Sequence, residues 1–160
     1  MVSERIHRLD QRGWSLAELL VVIAVIAILA AIAIPSFVTY LQSSTVRAGA
    51  QEMRTGLNQA KQLAITTRQN ICVQPVGNGY QFRQNTCAGP VVPATLALGA
   101  DGTGTFRLQN NVVVTVSPGN VAPVFTPLGA AAPAGQLTVT GPAGNALTVT
   151  VSVAGRITTP

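Results

Sequence analysis

Charge is what this chain most lacks. Asp, Glu, Lys and Arg make up 9% of its 160 residues, against roughly 25% in an ordinary soluble domain. Eleven of the fifteen charges fall in residues 1–68, and residues 69–160 hold only Arg83, Asp101, Arg107 and Arg156. Histidine is limited to His7, and after Glu18 only two carboxylates follow, Glu52 and Asp101. A Ser-His-Asp triad or a His/Cys/carboxylate metal cluster cannot be built from that inventory. No catalytic residue, metal ligand or cofactor is expected, and the chain reads as something other than an enzyme. The formal charge of +5 is too thin an excess to identify a polyanionic partner by itself. Without residues 1–13, seven basic groups face three acidic ones.

Long apolar runs are not lacking. Trp14 to Ile34 is 21 residues with one charge, Glu18, and as a helix it would reach about 30 Å, the thickness of a bilayer core. Leu, Ile, Val and Ala fill it, so it should be apolar on every side. A secretory signal peptide is the competing reading, since Ala30-Ala31-Ile32-Ala33 resembles a signal-peptidase site. Its apolar region is usually only about 7–15 residues, however, and here the pattern continues through Pro35, Phe37, Val38, Tyr40 and Leu41. Arg5, Arg8 and Arg12 precede the span, which puts the N-terminus in the cytoplasm and the rest outside, a single membrane pass. Glu18 either sits at the interface, helped by the positive end of its helix, or pairs with a cation on another chain.

Gly13-Trp14-Ser15-Leu16-Ala17-Glu18-Leu19-Leu20-Val21-Val22-Ile23-Ala24 closely resembles the processing motif of type IV prepilins and type II secretion pseudopilins. The resemblance implies that a prepilin peptidase removes leader residues 1–13 by cutting after Gly13, and that the new N-terminal residue, Trp14, is N-methylated. It also implies that Glu18 neutralises the N-terminal amine of a neighbouring subunit, and that Pro35 is the helix-kinking proline of the span. Trp14 stands where Phe is usual, Ser15 for Thr and Ala17 for a larger aliphatic residue.

Beyond residues 14–38, the transmembrane and assembly helix, an amphipathic helix is expected over 39–70. Val46, Ala50, Met53, Leu57, Ala60 and Ala64 recur at spacings of four and three, a stripe that should pack on an outer domain. Arg47, Arg54, Lys61 and Arg68 fall every seven residues on a neighbouring line, either a solvated face or a contact with another subunit or a polyanion. Gly49 and Gly56 weaken the helix by about 1 kcal/mol each relative to Ala and would permit close approach or local melting.

Residues 71–160 read as a β-rich periplasmic domain. Ile71–Val76 and Tyr80–Thr86 flank Gly77-Asn78-Gly79, a hairpin signal. Thr105–Gln109 with Val112–Ser117 is expected as a second hairpin about Asn110-Asn111, and Gln136–Thr140 with Leu147–Val153 as a third. In the third, Leu137, Val139, Leu147, Val149, Val151 and Val153 alternate with Thr and Ser, which predicts one buried and one wet face. Gly102-Thr103-Gly104 is a turn and not a phosphate loop, because no Lys follows. Cys72 and Cys87 are separated by 14 residues across the first hairpin, which suits a disulfide on the oxidising side of a membrane; two free buried thiols are the alternative.

Phe125-Thr126-Pro127-Leu128-Gly129 and Val151-Ser152-Val153-Ala154-Gly155-Arg156-Ile157 resemble the C-terminal pattern of the GspH/FimT family of minor pseudopilins and minor pilins. That resemblance implies an α+β, pilin-like fold, with a long N-terminal helix packed on a small antiparallel β-sheet domain. The expected function is a non-catalytic subunit of a type IV pilus or type II secretion filament, incorporated at or near its tip. Its expected partners are other pilins, the prepilin peptidase and inner-membrane lipid. The alternative is a DNA-binding minor pilin acting in DNA uptake. DNA-binding members carry Gly-Arg followed two positions on by another basic residue; Arg156 matches that pattern and Thr158 does not. Arg83 and Arg107 would add to such a patch, but three scattered cations give only weak, salt-sensitive binding.

Overall fold

The computed structural model describes residues 15–159. In chain order they form helix α1 (Leu16–Thr67) and strands β1 (Ile71–Val76), β2 (Gly79–Gln84), β3 (Thr105–Arg107), β4 (Val113–Val116), β5 (Val124–Phe125), β6 (Gly135–Thr140), β7 (Ala146–Val151) and β8 (Ile157–Thr158). The chain divides into two compact units, residues 1–39 and 40–160.

In the first unit α1 is apolar on all sides and its large side chains are exposed, from Leu16 through Ile34 and Phe37. By length and composition this is a helix able to cross a membrane. Pro35 cannot donate the hydrogen bond that the Ala31 carbonyl would otherwise receive, yet the helix continues through it. The Thr39 hydroxyl donates to the Pro35 carbonyl at 3.0 Å.

In the second unit the remainder of α1 buries Val46, Gly49, Ala50, Met53, Gly56, Leu57, Ala60 and Ala64, the stripe that the three-and-four spacing predicts. The two glycines mark close approach. A Cβ on Gly49 would lie 3.0 Å from a Val112 methyl, and one on Gly56 would overlap the Tyr80 hydroxyl. The helix ends at Thr67, before the expected boundary at 70, because Arg68 takes a left-handed φ of 55°.

The β domain holds two four-stranded antiparallel sheets, ordered β3-β2-β1-β5 and β4-β6-β7-β8. β1 and β2 form the expected hairpin, closing from Ile71↔Gln84 to Val76↔Gly79 through a two-residue turn with Gly77 at φ 57°. β6 and β7 form the third expected hairpin, with Leu137↔Val149 and Val139↔Leu147 in register. Their Val and Leu side chains face the core, while Thr138 and Thr148 pair on the outer face.

The second expected hairpin does not form. β3 pairs with β2 in the first sheet, and β4 pairs with β6 in the second. Burial explains the split. Phe106 of β3 stacks on Tyr80 with ring centroids 5.0 Å apart and packs on Phe82 at 4.6 Å, while Val114 of β4 faces Val139. Asn110 and Asn111, both left-handed at φ 61° and 55°, turn the chain from one sheet into the other, as Asn tolerates better than most residues. Val153 is a further correction: it lies past the end of β7, 71% exposed, and not on the buried face. β5 and β8 are two residues each, too short for periodicity to reveal. Phe82, Phe125, Met53, Leu57, Ile71 and Leu137 are the largest fully buried side chains.

Candidate functional site

Gly13 and Trp14 lie outside the described residues. The first described contact of α1 is the Leu19 N–H donating to the Ser15 carbonyl at 3.1 Å, which makes Ser15 the N-cap. Ser15-Leu16-Ala17-Glu18 then has the Ser-x-x-Glu spacing of a capping box. Glu18 stands in the first turn, exposed, where the helix dipole favours a carboxylate. The next charge along the helix is Arg47. Chemically this is an apolar rod that bears one anion near its start.

Cys72 and Cys87 are joined in a disulfide with Cα atoms 5.1 Å apart. The bond ties the loop after β2 to β1. The same loop is held by the Asn85 N–H donating to the Asn70 carbonyl at 2.7 Å. Beside it runs a groove of about 600 Å³, lined by Val116, Val121, Ala122, Val124 and Pro133 and by the carboxamides of Asn70, Gln74, Asn85 and Asn120, with no titratable side chain. Among the described residues no three His, Cys, Asp or Glu side chains group closely enough to hold a metal ion.

The three outer arginines are not brought together. Arg83 donates to the Gly89 carbonyl at 3.1 Å and to Gln81 Oε1 at 3.2 Å. Arg107 Nε pairs with Asp101 Oδ2 at 3.1 Å. These two side chains are four positions apart along β2, since Arg107 sits opposite Gly79, a span of about 13 Å. Arg156 belongs to the other sheet, exposed at the turn before β8, with its backbone N–H on Ser152 Oγ. The Asp101 carboxyl is held down to about 2, first by the Thr103 hydroxyl and then by the Thr105 N–H, with Arg107 adding to them. Burial pushes the Tyr80 hydroxyl up to about 12, and the nearby Glu52 carboxylate adds to it. Glu52 itself accepts the Gln109 N–H at 3.2 Å.

A feature that periodicity does not reveal lies at the far end of α1. Lys61 is not simply part of a solvated line: it is half-buried and its ammonium donates to the Gly155 carbonyl at 3.1 Å. Two four-residue turns meet there, Thr126–Gly129 and Ser152–Gly155, each closed by an N–H···O bond, at 2.9 and 2.8 Å. Both end on a left-handed glycine, Gly129 at φ 79° and Gly155 at φ 71°. A Cβ on Gly155 would overlap the Gly129 carbonyl, and one on Gly129 would lie 3.2 Å from Lys61 Cε and 3.4 Å from Ile65 Cδ1. The sequence signal for the first turn was Pro and Gly at its second and fourth positions; nothing in either segment shows that the two turns touch.

Known proteins share this architecture. The crystal structure of the type IV minor pilin FimU of Pseudomonas aeruginosa (strain PAO1) is similar at 18% identity and a TM-score of 0.51, over 71% of this chain and 91% of that one. A second crystal form of FimU gives 18% and 0.52, over 76% and 92%. The minor pseudopilin EpsH from the type 2 secretion system of Vibrio cholerae gives 16% and 0.52, over 72% and 95%. At these identities the likeness establishes the fold. Residues 8–34 match the prokaryotic N-terminal methylation motif, and residues 49–155 match the family model described as type II transport protein GspH. With residues 49–155, well over half its length, matched by that model, the chain belongs to the GspH family.

Proposed function

We propose that this chain is a non-catalytic minor pilin or pseudopilin that a prepilin peptidase cuts after Gly13 and that joins a filament, at or near its tip, through its N-terminal helix. The observation that carries the reading is the methylation motif over 8–34 running directly into an exposed apolar helix whose first turn holds a single carboxylate, Glu18. Before assembly the helix anchors the chain in the inner membrane, with the β domain on the periplasmic side. In the filament, apolar helices pack on one another. A lone carboxylate at depth in an apolar environment costs about 2–3 kcal/mol, and pairing with a neighbour's N-terminal amine offsets that cost in one axial register only. Pro35 adjusts the course of the rod by removing one helical hydrogen bond. The character of Leu19–Pro35 favours a type IV pilus over a secretion filament.

Replacing Gly13 tests processing. Gly13→Val should accumulate full-length precursor, and N-terminal sequencing of the wild-type protein should begin at Trp14. A mature chain that begins near Ala33 would instead mean a β domain released by signal peptidase. The alternative role in DNA uptake rests on Arg156, because Arg83 and Arg107 are engaged with Gly89, Gln81 and Asp101. One exposed arginine neutralises too few phosphates for tight binding.

A further inference from the structure

We infer that the paired turns Thr126–Gly129 and Ser152–Gly155 form a docking knob for a different subunit of the same filament. That partner surface would be an apolar depression with carboxylates at its rim. This rests on the pilin reading above and adds a surface to it, separate from the assembly helix. Leu128 is 94% exposed and Val153 71%, each at the tip of its turn, with Ile65 of α1 beside them at 41%. Three large aliphatic side chains displayed together contribute nothing to this chain's own core, and such a patch ordinarily marks an interaction site.

The display is built and rigid. Each turn closes on a left-handed glycine, the Gly155 site is filled by the Gly129 carbonyl, and the Ala131 N–H donates to the Val153 carbonyl at 2.9 Å. The Lys61 ammonium clamps the second turn to α1. A surface that is already ordered loses little conformational entropy on binding.

Charge selects the partner. Lys61, held on the Gly155 carbonyl, and Arg156, the exposed residue that follows, flank the second turn, and no carboxylate lies in either turn or in residues 59–68. A second copy would bring the same cations. Outside the assembly helix, the described carboxylates of such a copy already have partners, Glu52 accepting the Gln109 N–H and Asp101 pairing with Arg107. The knob therefore repels itself and fits an acidic-rimmed neighbour of different sequence. Single-stranded DNA is disfavoured because the tips are aliphatic and offer no aromatic face for a base, and duplex DNA because so few cations neutralise too few phosphates.

The test uses the full chain in cells that make its own filament, with a photoreactive amino acid at position 128 or 153 and a control at Thr148 on the outer sheet face. The expected result is a crosslink from 128 and 153, absent from 148, to a different pilin-family subunit recovered in the sheared filaments. Leu128→Glu and Val153→Glu, both at exposed positions that folding should tolerate, should reduce incorporation at least tenfold with unchanged processing and membrane level. Crosslinking to a second copy, a nucleic-acid adduct, or normal incorporation of both Glu variants would each overturn the knob and leave the pilin reading intact. If the wild-type chain is neither cut after Gly13 nor present in filaments, the pilin reading itself fails, and the knob with it.

Discussion

At the scale of single residues, Gly56 and Tyr80 decide how tightly α1 lies on the β domain. Alanine normally stabilises an exposed helix interior by about 1 kcal/mol relative to glycine. At Gly56 the added methyl would overlap the Tyr80 hydroxyl and ring, whereas at Gly49 it would meet Val112 and Val139 methyls at 3.0–3.3 Å. Gly56→Ala should therefore destabilise by about 1–3 kcal/mol through overpacking. At Gly49 the gain in propensity and the tight contact nearly cancel, so Gly49→Ala should stay within about 1 kcal/mol of wild type. Urea unfolding of the detergent-solubilised protein measures both, and equal effects would disprove the lock between Gly56 and Tyr80. Tyr80 also imposes a pH limit. Its hydroxyl is raised from an ordinary 10.0 to about 12, so the fold accepts the neutral phenol and resists the phenolate. Stability from this site is complete below pH 10 and is lost as pH rises through about 12, amounting to about 2–3 kcal/mol. Tyr80→Phe should remove that part of the alkaline loss. Identical alkaline unfolding profiles for the two proteins would show that the phenol is not responsible.

Among elements, the disulfide and the sheet crossing do most to organise the β domain. Cys72 lies within β1, and Cys87 in the loop that follows β2, so the bond closes a loop of 15 positions over the first hairpin. Chain entropy gives such a loop about 3 kcal/mol of stabilisation. Cys72→Ser should lower the unfolding free energy by about that amount and loosen the segment around Thr86 and Gly89. Thiol titration of denatured, unreduced wild-type protein should find no reactive thiol; two would exclude the bond in the cell. Strand-like segments on either side of Asn110-Asn111 allowed β3 and β4 to be drawn as one hairpin. The aromatic cluster of Tyr80, Phe82 and Phe106 on one sheet and the aliphatic contacts of Val114 on the other separate them. Asn110 and Asn111 supply the left-handed backbone that the crossing needs.

For the whole molecule, the property to explain is a chain with a buried, ordinary β-domain core and an apolar helix left exposed. In the function proposed above, lipid, and later other subunits, cover the helix and remove that contrast. Glu18 distinguishes two accounts of its N-terminal turn. If it serves only as the third residue of a capping box, glutamine replaces it well, since Gln fills that position too. If its charge pairs with a neighbour's amine, glutamine fails. We expect Glu18→Gln to insert and be processed normally but to enter filaments at least tenfold less than wild type, as poorly as Glu18→Ala. Normal incorporation of the Gln variant, read by immunoblot of sheared filaments, would assign Glu18 to helix capping alone.

Much of this was legible in the chain itself, for identifiable reasons. An uninterrupted apolar run, a glycine and a glutamate at fixed spacing, and a stripe at spacings of three and four are local patterns. Local patterns survive being read without a third dimension: the helix, its buried face from Val46 to Ala64, two of the hairpins and the pairing of Cys72 with Cys87 all followed from them. What the tertiary structure alone decided depends on segments far apart in sequence. The division of the strands into two sheets, the two-residue strands β5 and β8, and the turn of Val153 into solvent follow from which side chains meet in the core. So does the knob, where residues near 61, 128 and 153 come together because Gly155 packs on the Gly129 carbonyl and Lys61 binds the turn. None of those segments signals alone that it will face the others, because close packing depends on the shapes of distant partners and not on local pattern.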